Sequence, residues 1–548
     1  MNTLTALSRL IGRLAKLPPA ETHNVIVERD LQVPMPDGVV LLADRYFPRG
    51  AGKLPTILVR SCYGRRGFFG LIYGYLFAER GYQVVIQSTR GTFGSGGQLE
   101  PFGCEHDDGL ATVAWLKQQS WFNGEFATNG ASYLGYVQWA IASEAGPELK
   151  AMAIQVSTAE FRSQTYTGGS YALDTTLSWT NMMANQEKSL GLIRQMMAVN
   201  RTLRPLFSRL PLRELDELAN GEHAPFFQEW LEHTEPGDPY WTARDFSETV
   251  KDVTAPISIV SGWYDIFLPW TLRDYRALRA AGKRPYLTIG PWAHASTELH
   301  TYSIREALAW FRAYLHGDHN QLRKSPVRIF VTGANEWRDF ADWPPAGTRY
   351  QRFYLQPGWG LSIDIPPTSE PDHYRYDPTK PTPAVAGPLL VGKALPTDNR
   401  ELEARSDVLT YTTNPLEQGV EVIGPVQAEL FAYSSLEHTD FFVRLCDVDA
   451  KGISINVCDA LVRVKPGSPP VSAGGGMRVT IDLWPTAHLF LRSHRIRLQV
   501  SSGAHPRYAR NTGGSEPLAT ATKLLVADQS IYHDPDHPSS IMLSLSSE

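Results

Sequence analysis

Three short stretches of this sequence carry residues whose types and spacing suit nucleophilic acyl chemistry. In the first, Asn129-Gly130-Ala131-Ser132-Tyr133-Leu134-Gly135, a serine sits among small residues between an apolar approach (124–128) and a helix-forming run (136–142). A nucleophile at a sharp strand-to-helix turn needs small neighbours, because its backbone is strained and packed against the following helix. The helix N-terminus also aims N–H groups at any oxyanion forming beside the hydroxyl. The usual spacing is Gly-x-Ser-x-Gly, whereas here the second glycine comes one residue late, at Gly135. Taken alone the motif also fits a plain turn, so the case depends on a base and an acid following in order.

Both follow. Asp265 comes after the apolar run 257–264, and His294 closes Gly290-Pro291-Trp292-Ala293-His294 after the apolar run 286–289. A hydroxyl is a poor nucleophile near neutral pH; it needs an imidazole to take its proton and a carboxylate to orient that imidazole and stabilise its cation. Considered singly, His294 reads as a loop histidine and Asp265 as a helix cap. Together they give the order Ser, Asp, His, each at the carboxyl end of a strand, which is the arrangement of an α/β-hydrolase sheet.

The elements that must position these residues are legible in outline. Residues 24–48 alternate apolar and polar about a turn at Pro36-Asp37-Gly38 and predict an opening hairpin. Buried strands follow at 56–60 and 83–87, with a helix over 73–80 between them. A glycine-rich loop (90–97) then precedes a helix over 108–119. That loop lacks the Lys-Ser/Thr ending of a P-loop and reads as a tight surface turn. After the elbow helix, 152–156 predicts one more strand, and strands resume at 257–262 and 286–290. Strands alternating with helices predict a parallel α/β sheet covered on both faces.

Between these blocks, 173–199 and 204–220 are helix-rich, with methionines and aromatics at three- and four-residue steps, as expected of a helical cap over a substrate pocket. From about residue 325 short β-type runs (327–331, 351–355, 408–411, 426–432, 441–448, 460–464, 477–483, 495–500) are separated by Pro, Gly and Asp turns, with a proline-rich crossing loop over 366–388. They predict a C-terminal β-sandwich of jelly-roll type. The expected division is hydrolase core 1–157, cap 158–247, core again 248–324, and β-sandwich 325–548.

The chain of 548 residues is 43% hydrophobic and 20% charged with a net charge of −5, which suits a globular enzyme and gives no reason to expect nucleic acid. Its four cysteines (Cys62, Cys104, Cys446, Cys458) form no CxxC pair and are expected to be reduced. No apolar window reaches the roughly 18 residues of a membrane span. Leu4, Leu7, Ile11 and Leu14 recur at helical spacing, with arginines breaking any signal-peptide run. This amphipathic helix is expected to pack on its own domain or on a second copy in a homodimer, in preference to a membrane, in a cytoplasmic protein.

The triad stretches resemble a known family. Gly130-Ala-Ser132-Tyr-Leu-Gly135, Gly262-Trp-Tyr-Asp265 and Gly290-Pro-Trp-Ala-His294 are similar to the motifs of the cocaine-esterase / X-Pro dipeptidyl-peptidase family, whose Gly-x-Ser-Tyr-x-Gly accounts for the late glycine. The resemblance extends along the chain, through Met35-Pro-Asp-Gly38 and Arg90-Gly91 to residues 501–507 and Tyr532-His533-Asp534-Pro535. It implies an oxyanion hole made by the N–H of Tyr133 and the hydroxyl of Tyr63, and an acyl pocket lined by Trp179 and Phe267. Relatives that prefer α-amino acyl groups hold the ammonium with a carboxylate cluster, which is not identifiable here.

The expected activity is hydrolysis of a small-molecule acyl ester, or of an amide, through an acyl-enzyme on Ser132. An acyltransferase or amidase/peptidase using the same triad is the alternative, and a non-catalytic glycan-binding protein the reading from another class. No cofactor is expected. No metal is expected either: His294 with His300, and His533 and His537 with Asp534 and Asp536, match no strong ligand template.

Overall fold

The computed structural model describes residues 3–188, 202–469 and 476–546. The chain opens on α1 (Thr3–Leu14) and lays down β1 (Val25–Pro34), β2 (Val40–Pro48), β3 (Thr56–Ser61), β4 (Gln83–Ser88), β5 (Phe126–Ala131) and β6 (Leu149–Gln155). After an interval come β7 (Ile257–Tyr264), β8 (Tyr286–Ala293), β9 (Val327–Val331) and β10 (Glu336–Phe340). These ten strands hydrogen-bond in the order β1-β2-β4-β3-β5-β6-β7-β8-β9-β10. The first two are an antiparallel hairpin and the last pair is antiparallel; from β4 to β9 every neighbour is parallel.

Parallel strands need crossovers, and the crossover helices cover both faces, so the central strands carry continuous apolar runs. β3, β4 and β7 are buried along their whole length. Because β5, β6, β7 and β8 are consecutive neighbours, the loops leaving β5, β7 and β8 emerge side by side at one edge of the sheet. That adjacency brings residues 132, 265 and 294 within reach of one another.

The stretch between β6 and β7 folds as helices, including Leu173–Asn185, Leu215–Asn220, Pro225–Glu232 and Pro239–Thr242. The part of the expected cap helix over 189–199 lies outside the described residues. Downstream, long antiparallel pairs such as Val420–Ser434 with Met477–Phe490, and Thr439–Val448 with Ser454–Val464, form a β-sandwich. Val420–Ser434 alternates buried and less buried positions along much of its length, with Val426, Ala428, Leu430 and Ala432 turned inward. The cores of sheet and sandwich run into one another: Trp263 packs on Trp343 at 5.5 Å and Trp270 on Trp484 at 6.0 Å.

Three expectations are corrected. The run 327–331, expected as the first strand of the β-sandwich, is β9 and pairs parallel to β8, Leu287 opposite Val327. The helix Thr297–His316 returns the chain across the sheet to make that pairing. A short alternating run carries no local mark of which sheet it will join, so the texture change at 325 is not where the first sheet ends. The crossing loop over 366–388 contains a strand, Asp372–Tyr376, paired with Ala527–Asp534. On α1 the packed face is Ser8, Gly12 and Ala15, while Leu7, Leu10 and Leu14 stay exposed. Ser8 Oγ donates to Glu79 Oε1 at 2.6 Å, and a Cβ at Gly12 would stand 3.1 Å from Arg80. Small residues permit this close approach; of the expected stripe Ile11 is half-buried against the core, Leu7 and Leu14 are turned away, and the side chain of Leu4 lies outside the described residues.

All four cysteines are free thiols. Among the described residues no helix is long and apolar enough to cross a membrane.

Candidate active site

Ser132 lies between β5 and the helix Tyr133–Ala142, at φ +58° and ψ −125°, a conformation costly for any residue but glycine. The turn holds because its surroundings leave little room. A Cβ at Gly130 would lie 2.4 Å from Leu134 Cβ, and one at Gly135 would lie 2.4 Å from Ser157 Cβ. The late glycine is therefore the point where the elbow helix crosses β6's outgoing loop. The Ser132 N–H donates to Gln155 O at 2.9 Å, and Ser157 Oγ donates to Ser132 O at 2.7 Å, which fastens the turn from both sides.

His294 bridges the other two residues: Nδ1 is 2.6 Å from Asp265 Oδ2, and Nε2 is 3.1 Å from Ser132 Oγ. Asp265 is fully buried, and its other oxygen accepts the Phe267 N–H at 2.9 Å. A carboxylate can only accept, so Nδ1 carries hydrogen and Nε2 presents its lone pair to the serine hydroxyl. Buried, hydrogen-bonded and pointing at the imidazole, Asp265 suits a positive charge on that ring. The edge of the Phe267 ring covers the imidazole, with centroids 5.5 Å apart.

Tyr63 follows β3 and lines the same pocket as Ser132. The Trp179 indole N–H, from the cap helix Leu173–Asn185, donates to Tyr63 Oη at 3.0 Å. An indole N–H only donates, so it occupies a lone pair of the phenol and leaves the phenolic hydrogen free to turn toward Ser132. Burial pushes the Tyr63 phenol well above the ordinary tyrosine value, which keeps that hydrogen in place. Tyr133 supplies the first N–H of its helix, one of the backbone donors that an α-helix leaves unpaired. Its ring is anchored by Glu105, which accepts from Tyr133 Oη at 2.7 Å and pairs with Arg60 at 2.8 Å.

These residues open into a narrow pocket of about 30 Å³ walled by aromatic rings. Trp179 and Phe267, expected from the family resemblance, are both in its wall. Phe102, Phe161, Trp230 and Leu390 also line it, and nothing in the sequence singles them out. Phe102 and Phe161 stack at 4.1 Å between centroids, and Trp179 and Trp230 at 5.7 Å. The one available signal is a density of aromatics in the cap, which equally marks a core. Leu390 is the sandwich domain's contribution. Its N–H donates to the buried Asp174 at 3.3 Å, and burial pushes that carboxyl up to about 7. Among the described residues none of those lining the pocket is Asp or Glu. Among the described residues no group of three or more His, Cys, Asp or Glu is placed to hold a metal ion.

Comparison with known proteins points to one family. Residues 37–296 match the model of the X-Pro dipeptidyl-peptidase (S15) family, and 320–542 match that of the X-Pro dipeptidyl-peptidase C-terminal non-catalytic domain. The C-terminal match begins ahead of β9, so that segment lends β9 and β10 to the first sheet. The chain is 34% identical to a cocaine esterase of Rhodococcus sp. (strain MB1 Bresler), over 95% of this chain and 99% of that protein. In fold it is similar to an α-amino acid ester hydrolase (TM-score 0.82, 23% identity, 97% of this chain and 98% of that one). It is also similar to an aminopeptidase from a marine sediment archaeon, Thaumarchaeota archaeon (TM-score 0.79, 22% identity, 97% and 98%). The chain belongs to the X-Pro dipeptidyl-peptidase (S15) family and is a serine ester hydrolase.

Proposed function

We propose that this enzyme hydrolyses small-molecule acyl esters through an acyl-enzyme on Ser132, with His294 as base and acid, Asp265 orienting it, and Tyr133 N–H and Tyr63 Oη holding the oxyanion. The observation that carries the reading is the single imidazole spanning Asp265 and Ser132 at 2.6 and 3.1 Å. Nε2 takes the hydroxyl proton as Oγ attacks the ester carbonyl, and the carbonyl oxygen becomes an oxyanion facing the two donors. The protonated imidazole then gives that proton to the departing alkoxide, which leaves as an alcohol. Water enters, loses a proton to Nε2 and attacks the acyl carbonyl; the proton returns to Oγ as the acid departs.

The wall of Phe102, Phe161, Trp179, Trp230 and Phe267 supports an apolar acyl group. An α-ammonium there would be desolvated with no carboxylate among the described lining residues to pair it, so amino-acyl substrates are disfavoured. Esters come before amides because an alkoxide leaves more readily than an amine. The test is a fluorophosphonate probe together with an ester panel graded by acyl size. The probe should label Ser132, and Ser132→Ala should reduce turnover to background. Labelling elsewhere, or an active Ser132→Ala enzyme, would remove the proposal.

A further inference from the structure

A second cavity, of about 620 Å³, lies between the cap and the β-sandwich, away from Ser132. We propose that it is a binding site for a small amphipathic carboxylate, a single anionic group on an apolar body. Leu173, Phe207, Leu210 and Leu518 supply the apolar wall. The charged wall carries more cation than its own acids neutralise. Arg463 is held by Asp440 through two bonds of 2.9 and 2.8 Å, and Lys465 pairs with Glu235 at 3.0 Å. Glu516 is occupied by the N–H groups of Thr522 and Lys523.

Arg162 and Arg510 remain. Arg162 donates to Thr234 O at 2.6 Å, and its Nε is buried without an acceptor. Among the described residues Arg510 donates only to the backbone oxygens of Pro378 and Ser208. Among the described residues neither has a carboxylate within ion-pair distance. Burial lowers the pKa of both guanidiniums, and at Arg162 the charges of Glu160 and Glu235 offset only part of that effect. A carboxylate in the cavity would bring opposite charge to the two lining guanidiniums while burying its hydrocarbon part against the apolar wall.

Residues 161–166 form the partition between the two sites. Phe161, Gln164 and Thr165 face the pocket at Ser132, while Arg162 and Tyr166 face the cavity. Tyr166 Oη also donates to Trp230 O, so the partition is tied to an aromatic of the acyl pocket.

The experiment is calorimetric titration of the full-length Ser132→Ala protein with octanoate and, separately, octanamide. The carboxylate should bind about tenfold or more tightly than the amide, since only it brings a negative charge to the two guanidiniums. Arg510→Gln and Arg162→Gln should each weaken octanoate about fivefold or more, with a smaller effect on the amide. Binding should survive fluorophosphonate labelling of the wild-type enzyme, which closes the other pocket. Equal affinity for acid and amide, no binding, or binding abolished by the label would each overturn the proposal. Should Arg510→Gln fold poorly, Arg162→Gln and hydrogen-exchange protection of residues 161–169 by octanoate decide the same question: an undiminished affinity in the variant, or no protection, would overturn it equally.

Discussion

Replacing Trp179 by Phe keeps an aromatic ring in the pocket wall and deletes one N–H, the one that donates to Tyr63 Oη at 3.0 Å. The phenol then regains a free lone pair and can rotate its hydrogen away from Ser132. Losing an oxyanion donor outright costs about 3 kcal/mol of barrier, whereas losing the bond that aims it costs nearer 1 kcal/mol. Trp179→Phe should therefore lower kcat about fivefold with little change in KM, and Tyr63→Phe should lower it about a hundredfold or more. The decisive measurement is the double-mutant cycle, read as kcat on one short-chain ester. In a Tyr63→Phe background the second substitution has no hydroxyl left to aim, so its effect should nearly vanish. A Trp179→Phe penalty that persists undiminished without the Tyr63 hydroxyl, or that falls entirely on KM, would refute the reasoning and leave Trp179 as wall alone.

Further outcomes follow from the same geometry. Leu390→Ala opens the 30 Å³ pocket from the sandwich side, so kcat/KM for a benzoyl or butyryl ester should rise relative to the acetyl ester in a matched panel. Gly135→Ala drives a methyl to 2.4 Å from Ser157 Cβ and should cost about 1–3 kcal/mol in denaturant unfolding, with loss of activity as the elbow shifts. Burial raises the Asp174 carboxyl to about 7, so between its ordinary value near 4 and that point the folded state holds the extra proton. Its contribution to stability is thus present at low pH and lost as pH rises through about 7. His300 and His505, held down to about 4 by burial, slope the other way between about 6.5 and 4. Thermal melts of wild type and Asp174→Asn across this range should therefore differ by a term that favours the variant as pH rises; parallel curves would dismiss it.

The local chemistry of this protein is written in its sequence. Ser132 between small residues, Asp265 after one apolar run and His294 after another are short-range facts, and the order of the three follows from the strands they close. The parallel sheet is legible for the same reason: strands buried on both faces lose their alternation, as β3, β4 and β7 do. What a residue meets across space has no such local mark. Residues 327–331 look like any short strand, and only the return of the helix Thr297–His316 adds them to the first sheet. The leucines of α1 have helical spacing, yet Ser8, Gly12 and Ala15 make the contact because they allow the helix to sit close on Glu79 and Arg80. The acyl pocket is the clearest case. Phe102, Phe161, Trp230 and Leu390 come from four distant segments, one beyond the catalytic sheet altogether, and only folding brings them against Ser132. Hydrophobic burial makes each of them apolar without specifying its neighbour, so the residue types were fixed along the chain and the pocket they enclose was decided by tertiary packing.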